Sequence, residues 1–131
     1  MNILYVTIRK NRMSLRDLDT GREAVGHGSF SNQRILIGAF FAAEKVLRDL
    51  IEQVKPQGLL DRFVRRQRYD IVIDALELND GGLSQVEERA IMEMAAGASA
   101  MRYRHMVVAC AVQPRTDDAV RALLAQSTNQ R

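Results

Sequence analysis

Residues 69–78 have the sequence YDIVIDALEL, and this stretch decides the fold. Its three consecutive apolar residues, Ile71, Val72 and Ile73, are typical of a strand that is covered on both faces. Such strands lie in parallel sheets, where helices pack above and below them. The pattern therefore predicts a central parallel strand, with helices before and after it in the chain.

The chain opens with three short strands joined by turns. Residues 2–9 alternate apolar and polar side chains with a period of two, which is typical of a β-strand. Asn11 lies at the turn after it, and a second strand is predicted at residues 13–18. The sequence DTG at residues 19–21 is another turn signal, followed by a third strand at residues 23–28. We therefore expect a three-stranded meander.

The remaining segments alternate helical and extended patterns. Residues 39–54 carry apolar side chains with a period of 3.6 and form the clearest helix in the sequence. Its predicted apolar face consists of Phe40, Ala43, Leu47, Leu50, Ile51 and Val54. A short helix is predicted at residues 59–67. Another helix, at residues 84–96, opens with a capping box and ends at Gly97, and a last helix starts at Pro114.

With a further buried strand at residues 105–111, the elements have the order βββαβαβα. Strands that are separated by helical crossovers run parallel in one sheet. The sequence therefore predicts an α/β fold with a five-stranded mixed sheet and helices on both faces, which is the ribonuclease H-like architecture. Because it contains no internal repeat, low-complexity stretch or linker, we expect residues 1–131 to form a single domain.

Composition limits the class of protein. The chain has 47 % hydrophobic and 27 % charged residues, a globular balance, and no apolar run of about 18 residues that would span a membrane. The N-terminus lacks the features of a signal peptide. Cys110 is the only cysteine, which excludes a disulfide within the chain and fits a reducing compartment. We therefore expect a cytoplasmic protein.

Several ordered segments resemble bacterial actin-like proteins of the MreB type. That family carries V-E-R-R-A-I followed by A-x-G-A on one helix, F-x-x-T/A-E-K-M/L-L on another, and V-G-x in the third strand. The corresponding segments here are Val25–His27, Phe40–Leu47, Val86–Ile91 and Ala95–Ala98. The resemblance covers most of residues 1–112. It implies an actin-like, ribonuclease H-like fold equivalent to the first subdomain of such a protein, with a role in cell shape or cytoskeletal assembly.

The chain departs from this family where the family binds its nucleotide. Family members have an acidic residue and a glycine-rich turn, D-x-G-T, at the first hairpin, where backbone N–H groups hold the phosphates. Here Thr7–Arg12 contains neither a glycine nor a carboxylate. The two family glutamates after the fifth strand are also missing, since Gln113 precedes Pro114. We therefore expect no catalysis and no cofactor.

Glu87 matches the family glutamate that helps to position the attacking water. A structural role is the alternative, in which Glu87 completes a capping box by accepting from the backbone N–H of Ser84. If Glu87 is catalytic, the chain would be a nucleotide-dependent ATPase subunit that completes its site with a partner chain.

Other residues give weaker signals for chemistry. A metal nuclease of this architecture needs several carboxylates, but the first strand has none to join Asp70 or Asp74. His27 and His105 have no Cys, His or carboxylate at ligand spacing, so we predict structural roles and no metal site. Cys110 is expected to be buried and unreactive. Four methionines are expected to fill gaps in the core: Met92, Met94, Met101 and Met106.

The predicted function is therefore that of a non-catalytic interaction or scaffold protein. The candidate contact residues are Arg9, Lys10 and Arg12 on the first hairpin and Arg62, Arg65, Arg66 and Arg68 in an arginine cluster. The net charge of +3 favours an acidic surface on the partner, which would be a second copy or an actin-like cytoskeletal protein. A solvated arginine face is the alternative for the cluster. A basic nucleic-acid binder is a further alternative, although no glycines interleave the arginines.

Overall fold

The computed structural model of the protein describes residues 2–32, 35–55, 68–78 and 81–129. Within these ranges lie five strands: β1 (Ile3–Arg9), β2 (Arg12–Asp17), β3 (Glu23–His27), β4 (Tyr69–Ala75) and β5 (Tyr103–Cys110). The same ranges contain three helices: α1 (Phe40–Val54), α2 (Gln85–Ala98) and α3 (Asp117–Asn129). None of these helices combines the length and apolarity that crossing a bilayer requires. The short helix predicted at residues 59–67 lies outside the described residues.

The strands form one sheet in the order β3-β2-β1-β4-β5. β2 pairs antiparallel with β1 and with β3, as expected for strands that are joined by tight turns. β4 pairs parallel with β1 and with β5, because α1 precedes β4 and α2 lies between β4 and β5. The predicted α/β fold with a five-stranded mixed sheet is therefore confirmed.

The larger core lies between the sheet and helices α1 and α2. From β1 it takes alternate residues, Leu4, Val6 and Ile8. From α1 it takes the predicted face, which is buried at Ala43, Leu47, Leu50, Ile51 and Val54, while Phe40 is partly buried. Gly26 of β3 lets α1 approach the sheet closely, since a Cβ at this position would lie 3.1 Å from Val46 Cγ1. Burial of each leucine or isoleucine contributes about 1.5–3 kcal/mol.

A smaller core lies on the opposite face of the sheet, under α3. Tyr5 of β1 and Val72 of β4 are buried there with Val120 of α3. Because strand residues alternate between faces, Thr7 and Asp74 share this side, at neighbouring positions of β1 and β4. Both are buried as well. This face therefore combines an apolar patch with buried polar side chains.

β5 differs from its prediction in burial and in extent. The sequence predicts a fully buried strand at residues 105–111, whereas β5 begins at Tyr103, ends at Cys110 and is only partly buried. The cause is the strand order, which puts β5 at an edge of the sheet. The thiol of Cys110 is consequently partly buried, and the prediction of a buried cysteine is wrong.

Two helix ends also differ from the prediction. α2 continues through Gly97 to Ala98, and the left-handed residues that follow are Ala100 and Met101, with φ of 54° and 62°. Gly97 serves packing instead, since a Cβ there would lie 2.9–3.0 Å from the Glu44 carboxylate. α3 begins at Asp117 rather than at Pro114, because Thr116 Oγ1 accepts from the backbone N–H of Ala119 at 3.2 Å and caps the helix.

Candidate functional site

The turn between β1 and β2 is held by side chains from distant parts of the chain. The Lys10 backbone N–H donates to Glu77 Oε1 at 2.7 Å, and the Asn11 N–H donates to Ser31 Oγ at 3.0 Å. In return, Asn11 Oδ1 accepts from the Ser31 N–H at 2.8 Å, and the Asn11 carbonyl accepts from the Gly28 N–H at 3.1 Å. Both amides at the tip of the turn are therefore already hydrogen-bonded within the chain.

The predicted contact residues fall into two groups. Arg9 and Arg12 are register partners across β1 and β2, and Lys10 lies between them in the turn. Lys10 and Arg12 are exposed, whereas Arg9 is partly buried. Arg68 is exposed just before β4. The other members of the arginine cluster lie outside the described residues: Arg62, Arg65 and Arg66.

Glu87 takes part in the cap of α2. The Ser84 hydroxyl accepts from the Glu87 backbone N–H at 3.1 Å and lies 3.0 Å from Glu87 Oε1, to which it donates. The Glu87 carboxylate was predicted to accept from the Ser84 backbone N–H. It accepts from the Ser84 hydroxyl instead. Ser84 caps the helix as predicted, and the Glu87 carboxylate binds the hydroxyl of that capping residue.

An ion pair between a buried carboxylate and an arginine that is 28 % exposed lies on the α3 side of the sheet. Asp74 is fully buried, and its Oδ2 accepts from Tyr5 Oη at 2.6 Å and from Arg115 Nε at 2.7 Å. The Arg115 backbone N–H donates to Tyr5 Oη at 3.0 Å, and Arg115 Nη2 donates to the Cys110 carbonyl at 3.3 Å. These bonds tie the segment after β5 to the two central strands. None of them was visible in local sequence patterns.

Arg16 of β2 extends this network to the start of α3. Its Nη2 donates to the Arg115 carbonyl at 3.2 Å and forms an ion pair with Asp117 Oδ1 at 2.7 Å. The Arg16 guanidinium carbon also lies 5.3 Å from the centre of the Tyr5 ring, within cation–π distance. Every charged group of the network thus has an opposite charge beside it, which is the arrangement of a structural tie between sheet and helix.

Tyr5 gives this network a pH dependence that can be measured. Burial, together with the hydrogen bond to Asp74, raises the pKa of the Tyr5 hydroxyl to about 12. The folded state therefore holds the phenolic proton more tightly than the unfolded chain, whose tyrosine pKa is about 10. Stability from this group is complete below about pH 10 and is lost as the pH rises towards about 12.

We expect the wild-type free energy of unfolding to fall between about pH 10 and pH 12 by about 2–3 kcal/mol more than that of Tyr5→Phe. Urea unfolding at a series of pH values measures both proteins, and subtraction of the variant removes the effect of other titrating groups. Identical pH profiles for the two proteins would contradict the assigned role of Tyr5.

The two histidines have different surroundings. His105 of β5 pairs with Asp70 of β4, with 3.1 Å between His105 Nδ1 and Asp70 Oδ1, and Arg104 Nη2 lies 3.1 Å from Asp70 Oδ2. Spacing along the sequence could not reveal this carboxylate, because it comes from the adjacent strand. His27 is exposed on β3. Within the described residues, no three His, Cys, Asp or Glu side chains are grouped so that they could hold a metal ion.

Two of the four methionines that were assigned to the core are on the surface. Met94 is buried and Met106 is partly buried, as predicted, but Met92 is 37 % exposed and Met101 is 64 % exposed. Both belong to an open groove beside α2. The sequence signal for this surface is Met92 itself, which lies off the α2 face that carries buried Ile91 and Met94.

The chain is 48 % identical, over 126 residues, to a protein of Escherichia coli (strain K12) described as "Uncharacterized protein YjaA". The similarity covers 96 % of this chain and 99 % of the E. coli protein, so it extends over the whole fold and not over one motif. No protein-family model matches the sequence. The resemblance to MreB-type proteins stays a prediction from the sequence.

Proposed function

We propose a function for this chain, which belongs to the same family as YjaA of Escherichia coli, from the contacts and exposed charges of its own residues. The function is that of a non-catalytic interaction or scaffold protein. Its architecture is ribonuclease H-like and similar to the first subdomain of an MreB-type actin-like protein. The order β3-β2-β1-β4-β5, an antiparallel meander beside two parallel strands, supports this part of the proposal.

The observation that carries the proposal is the occupied turn between β1 and β2. The resemblance to MreB-type proteins implies that actin-like proteins hold phosphates with free backbone N–H groups at this hairpin. In this chain the N–H groups of Lys10 and Asn11 already donate to Glu77 and Ser31. A phosphate would have to displace both partners before it could be held by these amides.

The Glu87 carboxylate adds nothing in favour of an ATPase. It accepts from the Ser84 hydroxyl inside the α2 cap, at 3.0 Å. This bond gives Glu87 a structural role in the helix cap, and the proposal adopts that role.

The exposed cations of the first hairpin are the proposed contact surface. Lys10 and Arg12 are exposed side by side at the tip of β1 and β2. In the chain, which carries a net charge of +3, they present a local positive surface that suits an acidic protein partner. The arginine cluster around Arg65 and Arg66 is a second proposed contact, for which the sequence is the basis.

The test is affinity capture from native lysate with two charge-matched variants. We expect Lys10→Glu/Arg12→Glu to lose the partners that the wild-type protein captures, whereas Lys45→Glu/Arg121→Glu, on exposed helix positions, keeps them. Arg65→Glu/Arg66→Glu tests the arginine cluster in parallel. If all three variants captured the same partners as the wild type, the basic surfaces would have no part in the function.

A further inference from the structure

A groove of about 830 Å³ lies between α1, α2 and the start of β5. Its apolar side chains are contributed by Phe40 of α1, Met92 and Ala96 of α2, Met101, and Tyr103 of β5. Met101 is held out of the core by its left-handed backbone, with φ of 62°, and is 64 % exposed. Methionine side chains are flexible and polarizable, and they are frequent on surfaces that bind helices.

The rim of this groove is acidic although the chain as a whole is basic. Three glutamates, Glu44, Glu88 and Glu93, line it, and Arg89 is the basic residue among the lining side chains. Arg89 already pairs with Glu93, with 3.1 Å between Nε and Oε1. Glu88 takes part in no salt bridge within the described part of the chain. With three glutamates and one arginine, the lining side chains carry a net charge of −2, and Glu88 is the exposed carboxylate among them that no salt bridge of the described residues neutralises.

Gly97 fixes the position of one rim carboxylate. A Cβ at Gly97 would lie 2.9–3.0 Å from the carboxylate atoms of Glu44, so the bare backbone makes room for that group against α2. Glu44 also pairs with Arg48 one turn along α1. The carboxylate is thus held at the junction of the two helices rather than extended into solvent.

We propose that this groove binds a cationic amphipathic helix of a partner protein. Its α2 wall runs from Gln85 to Gly97, about 20 Å at a rise of about 1.5 Å per residue, which matches between about three and four turns of a bound helix. Apolar side chains of such a helix would lie on Met92, Met101 and Tyr103. Its lysines or arginines would lie beside the exposed carboxylates of Glu88 and Glu93. The inference rests on the proposed function in one respect, that the chain is an interaction protein.

The probe is a labelled synthetic peptide of about 14 residues, with leucines at helical spacing and lysines elsewhere. Fluorescence anisotropy measures its binding to the full chain. We expect Met92→Gln/Met101→Gln to weaken binding at least about tenfold, since two polar amides would replace apolar side chains in the floor without changing its charge. The matched control Val86→Gln/Val112→Gln changes two residues that are 80 % and 87 % exposed and do not line the groove, and it should bind as the wild type does.

Charge is tested separately, so that the proposal does not depend on one variant. We expect Glu88→Lys to weaken binding of the lysine peptide about two- to fivefold, as for a single exposed ion pair. A peptide with glutamates in place of the lysines should bind at least about tenfold more weakly to the wild-type protein.

Three results would overturn the proposal. The first is equal affinity of the groove variant and its matched control, and the second is equal affinity of the two peptides. The third is a dimer in sedimentation that Met92→Gln/Met101→Gln dissociates, which would make a second copy the occupant. The hairpin variants used to test the proposed function change a different surface. Failure of this inference can therefore be told apart from failure of the proposed function.

Discussion

Arg115→Ala is expected to lower the free energy of unfolding by about 3–5 kcal/mol. The change would leave the carboxylate of Asp74, which has no exposed surface, with only the hydroxyl of Tyr5 as a donor to its Oδ2. A buried charge without a compensating charge is among the most destabilising features that one substitution can create. Urea unfolding followed by circular dichroism measures the effect.

Two further variants separate the buried charge from other effects of the substitution. Asp74→Asn/Arg115→Ala also removes the buried carboxylate charge that Arg115→Ala leaves unpaired. We expect the double variant to be more stable than Arg115→Ala alone. Arg121→Ala removes a cation whose Nη1 lies 3.9 Å from the exposed Asp118, and it should change stability by less than about 0.5 kcal/mol. A loss below about 1 kcal/mol for Arg115→Ala would mean that the ion pair does not hold α3 to the sheet.

Leu50→Ala is expected to lower the free energy of unfolding by about 2–5 kcal/mol. Leu50 has no exposed surface and lies where α1 comes closest to β3, 3.2 Å from the position that a Cβ of Gly26 would take. Truncation removes buried apolar surface and leaves a cavity between a helix and a strand that cannot collapse freely. Chemical unfolding again gives the value.

The matched control for this prediction is Val86→Ala, because Val86 is 80 % exposed on α2. It should change the free energy of unfolding by less than about 0.5 kcal/mol. If Leu50→Ala changed the free energy of unfolding as little as Val86→Ala does, the described packing of α1 on the sheet would be contradicted.

The elements of the fold could be predicted from the sequence because their signals are local. The alternation in residues 2–9 separates Leu4, Val6 and Ile8 from Tyr5 and Thr7, and the two sets lie on opposite faces of β1. The period of 3.6 in α1 likewise predicts all five of its buried residues. Periodicity reports which face of an element is covered, and it is enough to predict the order of strands and helices along the chain and an α/β fold.

The contacts that tie α3 to the sheet and close the first turn come from residues far apart in the chain. Tyr5 and Asp74 are separated by 69 positions, and Tyr5 and Arg115 by 110. The turn at Lys10 and Asn11 is closed by Glu77 and Ser31, which no local pattern pairs with it. Cross-strand and loop partners of this kind depend on the strand order, and they become visible only when the sheet is assembled.

The exposed groove escaped prediction for a different reason. Met92 and Met101 have the same hydropathy as core methionines, and composition cannot distinguish a methionine that fills a gap from one on a binding surface. The end of α2 determines the position of Met101. The helix continues through Gly97, and the backbone is left-handed at Met101 just before β5. The helix end accounts for Met101, whereas Met92 lies inside the predicted helix and off the face that carries Ile91 and Met94.

The most direct test of the central claim, that the chain's own side chains close the first hairpin to a phosphate, is an NMR titration with Mg·ATP. The amide signals of Lys10 and Asn11 report on the two donors, while those of Leu47 and Leu50 in α1 serve as references. We expect none of the four to move at millimolar nucleotide. Saturable shifts of the Lys10 and Asn11 amides, with the reference signals unchanged, would contradict the account.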